Sequence, residues 1–156
     1  MMLATVRANV NAVRGAVERP GGPIVRDMLA LVPAFRVRVE AVLRAMRDEG
    51  HDPMVFETLR TAERCEELFR RGTGSLHSMH RHGIAADIIS ESLRWKAPRA
   101  FWLSLRKHAE ANGLTSGAAW RRVDLPHIQA VPVALQAKVR TLAPAGIDAM
   151  VAERLA

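Results

Sequence analysis

The run Ile84-Ala-Ala-Asp-Ile-Ile-Ser90 holds a single carboxylate, Asp87, inside an otherwise apolar stretch. Its length and composition predict a short buried strand. An ionised carboxylate taken out of water is costly unless it is paired or holds a metal. Any fold that buries this strand must therefore bring a partner to Asp87. Three histidines stand just upstream: His77, His80 and His82. Gly83 allows a sharp backbone turn that would bring His80 back toward Asp87. An imidazole nitrogen and a carboxylate oxygen suit zinc, and a catalytic zinc takes three protein ligands and leaves one position for water. The third ligand has to come from His51, His108 or His127, the histidines outside this loop. His51 follows Gly50 in an exposed turn, and His108 falls on a helix beside Lys107. His127 sits in "DLPHIQ", before a predicted strand and three residues after Asp124. It is the best candidate on local grounds.

Composition narrows the alternatives. The one cysteine, Cys65, excludes an internal disulfide and a thiolate zinc cage. In a helical context it reads as a small buried residue. The net charge of +7 favours a polyanionic partner such as nucleic acid, anionic lipid or cell-wall polymer. The basic residues are spread through the chain, there is no tyrosine, and aromatics make up 4%, so base-stacking platforms are poorly supplied. Nucleic acid is accordingly not expected as a partner. No apolar stretch approaches the roughly 20 residues of a membrane span. Arg7, Asn9, Asn11 and Arg14 interrupt any apolar signal region near the N-terminus. The expected location of synthesis is the cytoplasm.

Along the chain, the patterning predicts a short helix over 3–17, a break at "RPGGP", and a helix from Ile24 to Arg47 that Pro33 kinks or restarts. Strand 53–60 and a helix from Thr61 to Gly72 follow. A loop leads to strand 84–90. A helix over 98–112 places Ala100, Leu103, Leu105 and Ala109 among its apolar positions. Residues 116–126 read as irregular, "HIQAV" as a closing strand, 132–143 as a helix and the tail as another short one. The expected organisation is an N-terminal extension over 1–22 and one α+β domain over 23–156.

Two motifs carry a resemblance. "SMHRHGIAAD" matches Ser-x-His-x-x-Gly-x-Ala-x-Asp through Ser78, His80, Gly83, Ala85 and Asp87. "WRRVDLPHIQ" resembles a second motif with an acidic residue close before a zinc histidine and a preceding tryptophan. Together they resemble the zinc D-Ala-D-Ala carboxypeptidase and L-Ala-D-Glu endopeptidase family, whose fold is shared by hedgehog signalling domains. The form Asp-x-x-His, with "GLTSGAAW" upstream, is most similar to phage L-alanyl-D-glutamate endolysins. The similarity runs over roughly residues 28–131. The chain departs from these endolysins at Cys65, where glutamine is common, and at the alanines of "SGAAW".

The resemblance implies a small antiparallel sheet that carries one zinc ion and is flanked by helices. His80, Asp87 and His127 would be its ligands. Asp124 would be the general base acting on zinc-activated water, a role worth roughly 10²–10⁴-fold. Arg60 would bind a substrate carboxylate or stabilise the oxyanion, although Glu57 and Glu63 are at hand to pair with it. Ser78 would hold the metal loop, and Trp120 would wall the cleft. The implied activity is hydrolysis of peptidoglycan stem peptides at the L-Ala–D-Glu bond by a monomer. It would act on the wall after holin-type release. A D-Ala-D-Ala carboxypeptidase and a non-catalytic binding module are the alternatives on the same scaffold.

Overall fold

The computed structural model describes residues 22–156. The helix read over 3–17, and the extension over 1–22 apart from Gly22, lie outside the described residues. The fold is α+β. Four strands form one antiparallel sheet in the order β1-β2-β4-β3: β1 Pro53–Glu57, β2 Ala85–Ser90, β3 Thr115–Ser116 and β4 His127–Gln129. Helices α1 (Pro33–Asp48), α2 (Ala62–Arg70), α3 (Arg99–Ala111), α4 (Gln136–Val139) and α5 (Pro144–Arg154) flank it.

The long helix starts later than its periodicity predicts. Residues before Pro33 form an extended segment and a 3₁₀ turn, Met28–Ala30, and Leu29 is exposed. Pro33 does not kink a helix here. It opens one, since a proline at the first turn has no N–H to leave unpaired. The inward face of α1 is Phe35, Val39, Val42, Leu43 and Met46, at three- and four-residue steps. Each contributes roughly 1.5–3 kcal/mol by leaving water.

On α3 the buried face is Phe101, Trp102, Leu105 and Ala109. Ala100 and Leu103 point to solvent, contrary to expectation. The aromatic pair sets the rotation of the helix, because two large rings bury more area than an alanine and a leucine. Ile147 and Val151 of α5 join the same core as Ile88, Ile89 and Ile128 of the sheet. The segment 132–143 is not one helix but a 3₁₀ turn, Val133–Leu135, followed by the single turn of α4. The tail helix, α5, runs for 11 residues.

Strand β1 stops at Glu57 rather than reaching Arg60 because its pairing breaks. Val55 pairs with Ile88, and Glu57 with Asp87, so the register shifts between them and Phe56 is the extra residue of a β-bulge. That bulge brings Glu57 opposite Asp87. Asp87 in turn pairs with His127 of β4. Directly opposed residues share a face of a sheet, so Glu57, Asp87 and His127 form a row across three strands.

Candidate metal centre and cleft

The row is completed from above by His80. Ser78 caps a 3₁₀ turn, Met79–His82, and its Oγ accepts from the His80 N–H at 3.3 Å. Gly83 closes the turn in the left-handed region at φ 67°, ψ 27°. An L side chain is strained there, and this reversal returns the chain into β2 with His80 facing Asp87.

His80, Asp87 and His127 each offer one ligand atom, and these atoms all lie within 4.8 Å of one another. All three residues are buried. His80 Nε2 and His127 Nδ1 each stand 3.3 Å from Asp87 Oδ1. The other nitrogen of each ring is engaged. His80 Nδ1 donates to the Thr58 carbonyl at 2.7 Å. His127 Nε2 donates to Gln129 Oε1 at 3.0 Å, and Gln129 Nε2 donates in turn to the Val131 carbonyl at 2.6 Å. In the neutral rings both remaining lone pairs therefore face a carboxylate oxygen. Acceptors aimed at acceptors need a cation or a proton between them.

This arrangement fits zinc. The donor set is two imidazoles and a carboxylate, each histidine is oriented by a carbonyl acceptor behind it, and the nitrogen–oxygen spacing suits a tetrahedral ion, whose ligand atoms at about 2.0–2.1 Å from the metal lie about 3.3–3.4 Å apart. Without a metal the same atoms favour a proton. Burial alone would raise the Asp87 carboxyl, but His80 and His127 outweigh it and hold it well below the usual carboxylate range. Burial opposes charge on His127, yet its bond to Asp87 prevails and raises its pKa.

The three residues line a cleft of about 540 Å³ together with Arg60, Ser78, Trp120 and Asp124. All seven residues singled out from the sequence thus meet in one place. Asp124 sits at the solvent-exposed rim. Partial desolvation raises its pKa, His127 opposes that rise, and Asp87 adds to it. Its loop is tied to Gly117, whose carbonyl accepts from the Asp124 N–H at 3.0 Å. Trp120 leans over His127 with ring centroids 5.0 Å apart. Trp95 and Phe56, in edge contact at 4.9 Å, form another part of the wall.

Arg60 is paired with Glu57, and the pair is buried rather than on the surface. Its Nε and Nη2 donate to Glu57 Oε2 at 3.1 and 2.6 Å, and Nη2 reaches Asp87 Oδ2 at 3.5 Å. Nη1 lies 3.4 Å from Ser78 Oγ. Burial would lower the Arg60 pKa, but Glu57 more than offsets it. The other Glu57 oxygen accepts from Arg64 Nε. Glu57 was named from the sequence only as a possible surface partner of Arg60; Arg64, Gln129 and the Thr58 carbonyl were not singled out. Gln129 alone had a local signal: it lies two residues from His127 in a strand and so on the same face.

Of the other histidines, His77 is exposed and on the cleft wall, His51 packs edge-on against Phe101, and His108 lies 2.9 Å from Glu49. Cys65 is buried in α2, and burial pushes its thiol pKa up.

No family model matches the chain. In sequence it is similar to the peptidoglycan L-alanyl-D-glutamate endopeptidase CwlK of Bacillus subtilis (strain 168), 24% identical over 124 residues that cover 65% of this chain and 74% of CwlK. In fold it resembles the crystal structure of the Serratia marcescens L-Ala D-Glu endopeptidase ChiX, with a TM-score of 0.50, 23% identity, and coverage of 65% of this chain and 81% of that one. The α+β architecture with its small antiparallel sheet is shared with ChiX. The resemblance carried by the two motifs thus extends to sequence and to fold.

Proposed function

We propose that this chain, similar to two L-Ala-D-Glu endopeptidases, is a zinc-dependent peptidoglycan peptidase that hydrolyses the L-Ala–D-Glu bond. One observation carries the zinc requirement: two histidine lone pairs and a buried carboxylate converge at one point of an open cleft. His80, Asp87 and His127 hold the ion. Zinc bound there supplies Lewis acidity, which brings the pKa of water toward 7 and polarises a carbonyl.

The chain's own groups supply the rest. Asp124, at the rim of the same cleft, accepts the proton of the attacking water as its oxygen bonds to the scissile carbonyl carbon. It then delivers that proton to the leaving amine as the C–N bond breaks. Its raised pKa suits both halves of this task, because a stronger base accepts more readily and the acid formed still donates to an amine. Arg60 stays charged and keeps Nη1 on the Ser78 side, where it stabilises negative charge developing on the carbonyl oxygen. Trp120 and His127 form one continuous wall, which orients the peptide.

Metal analysis combined with digestion of purified peptidoglycan tests this. The wild type should carry one zinc and release fragments cut between L-Ala and D-Glu by mass spectrometry. His80→Ala should lose both. Asp124→Asn should keep the metal and lose roughly 10²–10⁴-fold in rate. A wild type without zinc, or a His80→Ala variant that digests walls normally, would sink the assignment. Release of free D-Ala instead would indicate a carboxypeptidase.

A further inference from the structure

Glu57 is a buried acid with two cationic partners. Its side chain is 1% exposed, against 11% for Arg60 and 15% for Arg64. Such a charge is held only by well-formed pairing. Here Oε2 receives Arg60, and Oε1 receives Arg64 through its Nε. The two arginines sit four residues apart, on either side of the Thr61 cap that starts α2. They are pinned to one carboxylate, which itself stands opposite Asp87 in the sheet. Glu57, Arg60 and Arg64 all line the cleft.

The charges of this group do not cancel. Two guanidinium groups share the Glu57 carboxylate, and with Asp87 committed to the metal of the proposed function one positive charge is left. Arg60 reaches on to Asp87 at 3.5 Å, which sets the pair beside the hydrolytic centre. Arg64 is anchored through Nε and lines the cleft, so its planar fork is held there. A guanidinium held this way binds a carboxylate with little further loss of freedom. The excess of one charge matches a single carboxylate.

We propose that Arg64, beside Arg60, forms a subsite for a free carboxylate on the residue flanking the scissile bond, and that Glu57 is the positioning residue that holds Arg64 there. This rests on the peptidase assignment and names the chemistry of its substrate. A glutamyl residue has two carboxyl groups. One continues the peptide, and the other is either free or amidated. The subsite selects the free acid. Arg64 is then the specificity residue for the acid form, and Glu57 acts through both arginines without touching substrate.

Two synthetic stem peptides that differ only in acid or amide at that second carboxyl provide the test. Cleavage is measured with the zinc-loaded chain, and binding by calorimetry with the metal-free chain. The wild type should prefer the acid by tenfold or more in kcat/KM and bind it more tightly, because a charge-assisted pair is exchanged for a neutral one. Arg64→Met should lose most of that preference through a rise in KM for the acid peptide alone. Arg64→Lys should recover part of it. Glu57→Gln should reduce the preference in the same direction, and circular dichroism establishes that each variant is folded. Equal cleavage and equal binding of the two peptides by the wild type overturns the subsite while leaving the peptidase assignment intact. An undiminished preference in folded Arg64→Met overturns it as well. Acid-selective binding with neither peptide cleaved leaves the subsite standing and removes the peptidase assignment.

Discussion

Gln129 decides which nitrogen of His127 carries the proton. Its Nε2 is committed to the Val131 carbonyl, so Oε1 must face the ring, and a second donor, Gln136 Nε2, approaches the same oxygen at 3.3 Å. His127 therefore presents Nδ1, with its lone pair, to Asp87. Gln129→Leu removes that instruction while roughly preserving volume. The expected outcome is zinc affinity lowered by about 10–100-fold, read by competition against a chromophoric chelator; unchanged affinity would show that the tautomer is set elsewhere. At this scale the chain was legible where chemistry and spacing coincide. Asp87 is a charge in an apolar run, His80 lies across a glycine turn from it, and His127 follows an acid and a proline. Arg64 was not legible, and Glu57 was legible only as a possible partner of Arg60. Their partnership depends on a one-residue bulge in β1 and on the docking of α2, neither of which leaves a periodic trace. Arg60 and its possible pairing with Glu57 were legible, but the burial of that pair was not.

Among the elements, the turn from Gly117 to Asp124 ties the proposed general base to the sheet. A Cβ at Gly117 would stand 2.5 Å from the Asp124 carbonyl oxygen, 3.0 Å from the Asp124 Cβ and 3.1 Å from the His127 Cβ. The first of these is backbone and cannot swing aside, so Gly117→Ala must move the loop that carries Asp124. Because a displacement of about 1 Å can cost on the order of 10²-fold in rate, peptide hydrolysis should fall by about that factor. Metal content should fall less, since His80 and Asp87 come from other elements. Parallel assays of kcat and bound zinc check this, and equal losses in both would place the damage at His127 instead. Strand β3 passed unrecognised beside this turn because two residues are too few to show alternation. The start of α1 and the buried face of α3 were misjudged for a related reason. Periodicity names the apolar positions of a helix, but Pro33 and the Phe101–Trp102 pair decide where it begins and how it turns.

For the molecule as a whole, the proposed metal centre joins parts distant in the chain. His80 comes from the turn before β2, Asp87 from β2 and His127 from β4, with Thr58 and Gln129 behind them. The described residues include no helix long and apolar enough to cross a membrane. A ligand that binds only the folded chain stabilises it by mass action, about 2.7 kcal/mol at a hundredfold excess over Kd. At roughly 2–8 °C per kcal/mol for domains of this size range, chelation should lower Tm by at least about 5 °C. Asp87→Asn should be insensitive to chelator. The effect should depend on pH with a definite sign. In the metal-free chain the folded pKa of Asp87 is depressed, so its contribution is present above its unfolded pKa and is lost only in strong acid. The folded pKa of His127 is raised, so its proton stabilises the metal-free fold below the ordinary histidine value of 6.5, and that contribution fades as pH rises through the raised value. Zinc must displace this proton, so its stabilisation should grow as pH rises through that window and shrink below it. Melting curves with and without chelator across the pH range measure this directly, and a zinc-dependent Tm shift that is constant with pH would mean that the ion does not compete for His127.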